Sequence, residues 1–525
     1  MTMEAQGRRR GRLLPYWLSG CLLGFAIWLL YAPLAPSHPY AYDEADYMFA
    51  GTRGFVANYL ERPSISGFAF LEKGLELWRD RGKRGAMSQF IRSSGDITFY
   101  RHFHGPIYFY WLAFCHAAGL QQEASYRAAS LLLHLLAVAV VLLVFPLVFG
   151  ELPWWSGLIA AAALALNRTA LITGLSITQH AMFLFTSAAV VLMMGRFCRD
   201  LEPRWWYAAA ASMALAFASL ETSIVLIAAM GLVLVLLAKR LRAKWKIRQI
   251  ATLIGKGAGV FLLTLLVVWP KGLLTLSLAK GYLYLVYITV SRKTFSPIAP
   301  LDLWVLKLTT SPGEFLLPVF ALLVTGIGWK RLQCRWEALP ALTYTVIFLL
   351  VTLRVTVPYT HYHGSLMVCL AILSGVAVGE LWQRFPVVPV RALLVLLPAS
   401  SLVWMTAQYL PQARDYAVAH QFSSDVLAYL KQSPPAGQKL HVPYILVPTL
   451  HYYHPELAAE GYDTEPAAEL VRRMKSDEGD GRLVCETSVC RAVEQILGDQ
   501  AGPLIRIAAT GPSGREALSV LSLRR

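Results

Sequence analysis

The sequence predicts an α-helical polytopic membrane protein of about eleven crossings, closed by a small extracytoplasmic α/β domain. Three observations carry this prediction. Of the 525 residues, 56% are hydrophobic and only 15% charged, whereas an ordinary soluble domain is about a quarter charged. Apolar runs of roughly 15 to 25 residues, the length a helix needs to cross hydrocarbon, recur through the first four fifths of the chain. From about Pro411 the composition becomes charged and punctuated by Gly and Pro, the pattern of a folded soluble module. The formal charge of +16 does not indicate nucleic acid, because the basic residues fall mostly in alternate loops between the apolar runs.

Arg8, Arg9, Arg10 and Arg12 precede the first run, about Leu13 to Ala35, and place the N-terminal side in the cytoplasm. That run lacks a small-residue cleavage pattern and reads as a retained helix. The loop over residues 36–126 is then outside. Crossings follow at Arg127 to Phe149, Trp155 to Ala170 and Met182 to Phe197, and then as a pair at Trp206 to Ser223 and Ile224 to Ala238. The basic stretch "KRLRAKWKIR" after this pair is the clearest inside marker. Leu253 to Trp269, Phe315 to Gly328, Ala338 to Leu353, Ser365 to Glu380 and Val390 to Met405 complete the series. "IYFYWLAFCHAAGL", from Ile107, is too short for a comfortable span and reads as interfacial or re-entrant; a full crossing would turn the basic loops outward.

Two domains result, a membrane domain over residues 1–410 and an extracytoplasmic domain over residues 411–525. In the second, "KLHVPYILV" and "PLIRIAA" read as strands, and "EPAAELVRRM" and "CRAVEQIL" as helices. Its two cysteines, Cys485 and Cys490, are placed for a disulfide in an oxidising compartment, or are a chance pair of thiols.

Three outer segments carry polar groups that the insertion bias does not explain. They are residues 36–126, a segment from about Pro270 to Pro312 containing Lys271, Lys280, Arg292, Lys293 and Lys307, and "RVTVPYTHYHG". Snorkelling to headgroups accounts for some of these cations. Recognition of an anionic phosphate at the outer leaflet accounts for the rest, Arg offering a planar fork and Lys a point charge.

The order of "YDEADYM" at 42–48, "HFHGPIYFYW" at 102–111 and "SYRAASLLLHLL" at 125–136 resembles the GT-C glycosyltransferases, within the branch of protein O-mannosyltransferases and lipid A aminoarabinose transferases. This resemblance implies an enzyme that moves a sugar, with inversion, from a polyprenyl-phosphate donor to an acceptor hydroxyl outside the membrane. It implies that Asp43 is the catalytic base, with Glu44 orienting it or binding acceptor. Adjacent residues on a helix point about 100° apart, so the two carboxylates should differ in task. Asp46 reads as a solvated helix-start charge, and Tyr42 and Tyr47 as rings flanking the sugar or anchoring the interface.

Donor phosphate or sugar contacts are expected from Arg101, His102, His104, Arg127, Lys271, Arg292, Lys293, His361 and His363, and acceptor contacts or support from His180 and Glu221; the resemblance also suits Arg127 to a structural or catalytic partnership with the Asp-Glu segment. Two departures from the family stand out. "HFHGP" has glycine where relatives carry a proline, and "SITQHAMF" has Gln179 and His180 where many carry an Asp. His361 and His363 would share a face if extended, which leaves room for a divalent metal, but spacing fixes no third ligand and no cofactor is assigned. The acceptor is left open between lipid, glycan and protein. A bacterial inner membrane is the expected location. The rival class, a transporter or lipid flippase, predicts inverted repeats with broken helices in both halves, and the sequence displays no such symmetry.

Overall fold

The computed structural model describes residues 3–40, 43–60, 68–69, 72–73, 75–76, 104–274, 299–353, 360–419, 421–435, 439–462, 465–476, 481–511 and 516–523. Among the expected site residues, Tyr42, Arg101, His102, Arg292 and Lys293 lie outside this set.

In hydrocarbon every backbone N–H and C=O must be satisfied within its own segment, so the apolar runs fold as helices. In chain order these are α1 (Met3–Tyr31), α2 (Asp43–Thr52), α3 (Phe55–Leu60), α4 (Ile107–Ala117), α5 (Glu123–Leu147), α6 (Trp155–Ala165) and α7 (Arg168–Leu175). There follow α8 (Gln179–Asp200), α9 (Pro203–Phe217), α10 (Ser223–Leu236), α11 (Ala238–Lys244), α12 (Ile247–Val268), α13 (Pro270–Leu274) and α14 (Pro300–Thr310). The series ends in the membrane with α15 (Pro312–Gly328), α16 (Arg335–Thr352), α17 (Gly364–Arg384) and α18 (Val388–Ala419).

Among the described residues, 7 helices are long and apolar enough to cross a membrane, or 9 when the bent pairs α6–α7 and α10–α11 each count as one span. The two other expected crossings correspond to α9, with 15 residues, and α16, which opens on Arg335 and Glu337. As expected, α4 is an 11-residue apolar helix, too short to span.

Helix α17 is the axis of the bundle: 94% of its apolar window is buried, against 17% for α12 and 22% for α18. Close approach to it depends on Gly375, where an added Cβ would meet the Phe145 ring and the Ser156 carbonyl. At the periphery, the Tyr16 hydroxyl of α1 donates to the Leu142 carbonyl of α5. Helix α8 runs about 33 Å, by its 22 residues, from an end against which α4 packs to an end where Arg240 and Lys244, of the stretch "KRLRAKWKIR", donate to the Cys198 and Asp200 carbonyls. These are called the site end and the basic end below.

Helix α18 continues to Ala419, so the boundary expected near Pro411 falls inside a helix. A proline removes one backbone hydrogen bond and need not end a helix that its surroundings hold. Beyond it lie α19 (Gln421–Gln432), β1 (Leu440–Pro443), α20 (Val447–Tyr453), β2 (Ala459–Tyr462), α21 (Ala467–Ser476), β3 (Arg482–Glu486), α22 (Thr487–Leu497), β4 (Ile505–Ala508) and β5 (Leu518–Ser522). The sheet order is β2-β1-β3-β5-β4, with β1 parallel to β2 and β3, and β5 antiparallel to β3 and β4. Strand alternation splits the core: Val484 faces Phe422 and Val426 of α19, while Leu483 and Cys485 face Met474 of α21 and Val493 of α22. A disulfide joins Cys485 on β3 to Cys490 on α22.

The bridge closes a short loop, for which chain entropy gives about 2 kcal/mol of stabilisation. Cys485→Ala with Cys490→Ala should lower hydrogen-exchange protection across β3 and α22 by that amount and leave α5 and α8 unchanged.

Candidate active site

The site is organised around a buried arginine. Arg127 sits in the second turn of α5 with 0% of its surface exposed. Its Nε and Nη2 donate to the two oxygens of Glu44 at 3.3 and 2.6 Å. Nη1 donates to the carbonyls of Pro36 and His38 at 2.6 and 2.8 Å, and Nη2 also lies 3.2 Å from His38 Nδ1. Four of the five N–H groups of the guanidinium are thus directed at the Glu44 carboxylate and the two carbonyls. Of the two roles expected for Arg127, donor contact and partner of the Asp-Glu segment, the structure has the second: Arg127 is a clasp that fixes the chain entering α2.

Glu44 is correspondingly committed. Its Oε1 also accepts the Ile177 backbone N–H at 3.0 Å. Burial alone would raise its pKa, but the Arg127 charge and hydrogen bonds, with the Ile177 amide, hold the carboxyl below its usual range. Asp43, one residue earlier, is exposed at the first position of α2, where the helix dipole favours negative charge. Asp46, read from sequence as a solvated charge, is only 3% exposed. The three carboxylates therefore face different surroundings, and only Asp43 opens outward.

The C-terminal domain closes on the clasp. The Tyr453 hydroxyl of α20 donates to Glu123 Oε1 at 2.7 Å and accepts the Tyr40 N–H at 2.9 Å. The Tyr40 ring lies beneath the Arg127 guanidinium at 5.5 Å and packs edge-on to Tyr452 at 5.3 Å. One more aromatic pair, Phe49 with His451, ties α2 to α20.

Beside α2 lies a group of histidines. At Gly105 a Cβ would collide with the Ala218 carbonyl, so the chain approaches the α9–α10 turn only with glycine there. This explains the departure from the relatives' proline. The approach brings His104 Nδ1 to 2.7 Å from Glu221 Oε2, with the Gln179 amide 2.8 Å from the same nitrogen. The buried Tyr47 ring is 6.2 Å from His104. Burial raises the Tyr47 pKa, and the nearby Asp43 charge raises it further, so its hydroxyl stays neutral.

The neighbouring His180 packs against His361 and Tyr362, each at 4.5 Å between ring centres. The segment Thr360–His363 is a 3-10 helix rather than extended. At three residues per turn His361 and His363 cannot share a face, which corrects the expected pair: His363 turns away to meet Lys307 Nζ at 3.1 Å. Among the described residues no three His, Cys, Asp or Glu side chains converge as a metal site. Burial pushes the Lys307 pKa down to about 8, Glu314 opposing this and Arg168 adding to it. In sequence, Trp304 and Lys307 three apart look like any snorkelling pair, so only the fold reveals the contact with His363. Lys271 is buried in α13, after the end of α12, where the Tyr59 and Tyr110 hydroxyls donate to the Val267 and Val268 carbonyls.

Residues 103–269 match the family described as dolichyl-phosphate-mannose-protein mannosyltransferase. Over the whole length the fold is similar to that of ArnT from Cupriavidus metallidurans: the apo structure is 15% identical, with a TM-score of 0.62 and 98% of each chain covered. The structure of ArnT bound to undecaprenyl phosphate is 16% identical, with a TM-score of 0.59 and the same coverage. A comparison with curated proteins finds no sequence match.

Arg127→Met would leave Glu44 buried without a counter-charge, at a cost of about 3–5 kcal/mol. Adding Glu44→Leu should recover much of this, measured by denaturant unfolding in micelles. Because the folded Glu44 pKa is lowered, the clasp's contribution is complete above the ordinary value of 4.5. It should be lost only as pH falls through the folded value, so Glu44→Gln should be less stable than wild type at neutral pH and lose less of its stability on acidification; a variant as stable as wild type at pH 7 would contradict the clasp.

Proposed function

We propose that the protein is an inverting glycosyltransferase that takes a sugar from a polyprenyl-phosphate donor and delivers it to an acceptor hydroxyl, with Asp43 as base. The observation that carries this is the contrast on α2: Glu44 is consumed by Arg127 and Ile177, while Asp43 remains exposed on the same rigid turn, within electrostatic reach of Tyr47. In the step itself, Asp43 takes the acceptor proton as the acceptor oxygen bonds to the anomeric carbon. The bond from that carbon to the phosphate oxygen breaks, and its electron pair leaves with the lipid phosphate. A lipid phosphate departs readily when cations stabilise its charge, so a positioned base and an electropositive cradle suffice without a covalent nucleophile.

In this reading the cradle is His104, His361, His363, Lys271 and Lys307, joined by Arg101, His102, Arg292 and Lys293 from the segments the sequence singled out. Tyr42 and Tyr47 flank the sugar, and Glu221, Gln179 and His180 orient the histidines. ArnT, similar in fold over its whole length, has been solved with undecaprenyl phosphate bound, which supports a polyprenyl carrier here. The transferred group is a hexose or pentose, the acceptor a lipid, glycan or protein. The site and the C-terminal domain face outward from a bacterial inner membrane, as the basic loops suggest.

Purified wild type and Asp43→Asn, each presented with a panel of polyprenyl-phosphate sugars and a cell-envelope extract, test the reading. Wild type should release lipid phosphate from one donor, and Asp43→Asn should be slower by about 10²–10⁴-fold. Equal turnover by the two proteins would remove Asp43 as base, and a folded wild type that binds no donor would overturn the donor class.

Lys307 is charged below about pH 8 and neutral above it. Donor affinity should therefore weaken as pH rises through about 8, and Lys307→Met should abolish that dependence while leaving the protein folded.

A further inference from the structure

On the opposite end of the bundle, a cleft of about 380 Å³ opens between α9 and α12. Its floor is a helical stripe of α12, Gln249, Thr252, Leu253 and Lys256, spaced three and four apart so that all share one face. Pro203 and Tyr207 of α9 form the opposite wall. The back is fixed by Trp206, whose indole N–H donates to the Leu253 carbonyl at 2.9 Å and whose ring fills the space above Gly257. Trp245, Lys246 and Arg248 close the mouth at the membrane surface.

Lys256 is the feature that loop composition does not explain. It lies nine residues into α12 and three past Leu253, where the sequence places the start of this crossing. It is exposed on a helix that is mostly turned to lipid. Just inside the crossing, a cation is within reach of the headgroup level, where an anionic partner favours it. Among the described residues Lys246, Arg248 and Lys256 make no ion pair, while the nearest carboxylates in sequence on α8 and α9, Asp200 and Glu202, are engaged by Arg196 at 2.8 Å and Arg204 at 2.6 Å.

We propose that this cleft binds the phosphodiester headgroup of an anionic phospholipid of the surrounding leaflet. The phosphate sits between Arg248, Lys246 and the upward-reaching Lys256, the Tyr207 and Trp245 rings hold the glycerol level, and the acyl chains run down the exposed face of α12. A lipid fits better than a free anion because the lower wall, at Leu253 and the lipid-facing surface beyond it, is apolar. The site is separate from the candidate active site, and the proposal stands whether or not the transferase reading does.

Native mass spectrometry of the full-length protein, released from micelles after incubation with phosphatidylglycerol or phosphatidylcholine of matched chains, tests it directly. Wild type should retain phosphatidylglycerol at least about 10-fold better. Lys256→Met should reduce retention to the phosphatidylcholine level and Lys256→Arg should preserve it. Lys239→Gln, which removes the same charge from the same basic stretch outside the cleft, should leave it unchanged. Equal retention of the two lipids would overturn the proposal. So would an equal loss in Lys239→Gln, which would indicate diffuse attraction, or displacement of the lipid by millimolar inorganic phosphate, which would indicate a free-anion site.

Discussion

Everything at the site end rests on the ion pair between Arg127 and Glu44. Two charges taken out of water lose several kcal/mol of hydration each, and the loss is offset only when geometry is good and every remaining donor is satisfied. Here it is: the guanidinium meets both oxygens of one carboxylate and two backbone carbonyls. The result is a rigid junction between α5, a membrane-crossing helix, and the loop that leads into α2. Asp43 inherits its position from this junction, because a residue adjacent to a clasped side chain at a helix start has little freedom of its own.

The junction also explains why a soluble domain is attached to a membrane bundle. Tyr453 reaches from α20 to Glu123, one turn before Arg127, and to the backbone of Tyr40, whose ring supports the guanidinium. The C-terminal domain thus packs behind the carboxylate-bearing helix rather than hanging from the last crossing. Its own sheet and disulfide give that support a stiffness that a loop would lack. At the other end Trp206 ties α12 to α9, and a helix so exposed to lipid depends on what the leaflet presents to it.

Most of the architecture is legible in the sequence because hydrocarbon imposes a simple rule: apolar runs of sufficient length become helices, and basic loops alternate with them. The short α4, the break at Gly105 and the mixed α/β tail follow from equally local signals. What the sequence does not disclose is which side chains meet across helices. It suits Arg127, a cation at a helix mouth, to a ligand or to the Asp-Glu segment, but does not show that Glu44 is the carboxylate it meets or that the Pro36 and His38 carbonyls join it. Asp46 looks solvated because burial of α2 comes from α4 and α20, which are distant in the chain. The His361 and His363 pair fails for a different reason: a period-two pattern implies one face only if the backbone is extended, and here it is a 3-10 turn. Lys307 stands in the sequence as one more cation among apolar residues because its meaning lies in His363, 56 residues away.

In the proposed function the clasped helix and the histidines beside it share one phosphate-docking surface with Asp43 at its edge. A cryo-electron microscopy map of the full chain in nanodiscs with a polyprenyl phosphate tests this most directly. The account predicts phosphate density bounded by Asp43, His104, His361 and Lys307, with the prenyl chain leaving into the bilayer and the Arg127–Glu44 pair intact. Density elsewhere on the bundle, or a phosphate that displaces Glu44 to reach Arg127, would contradict it.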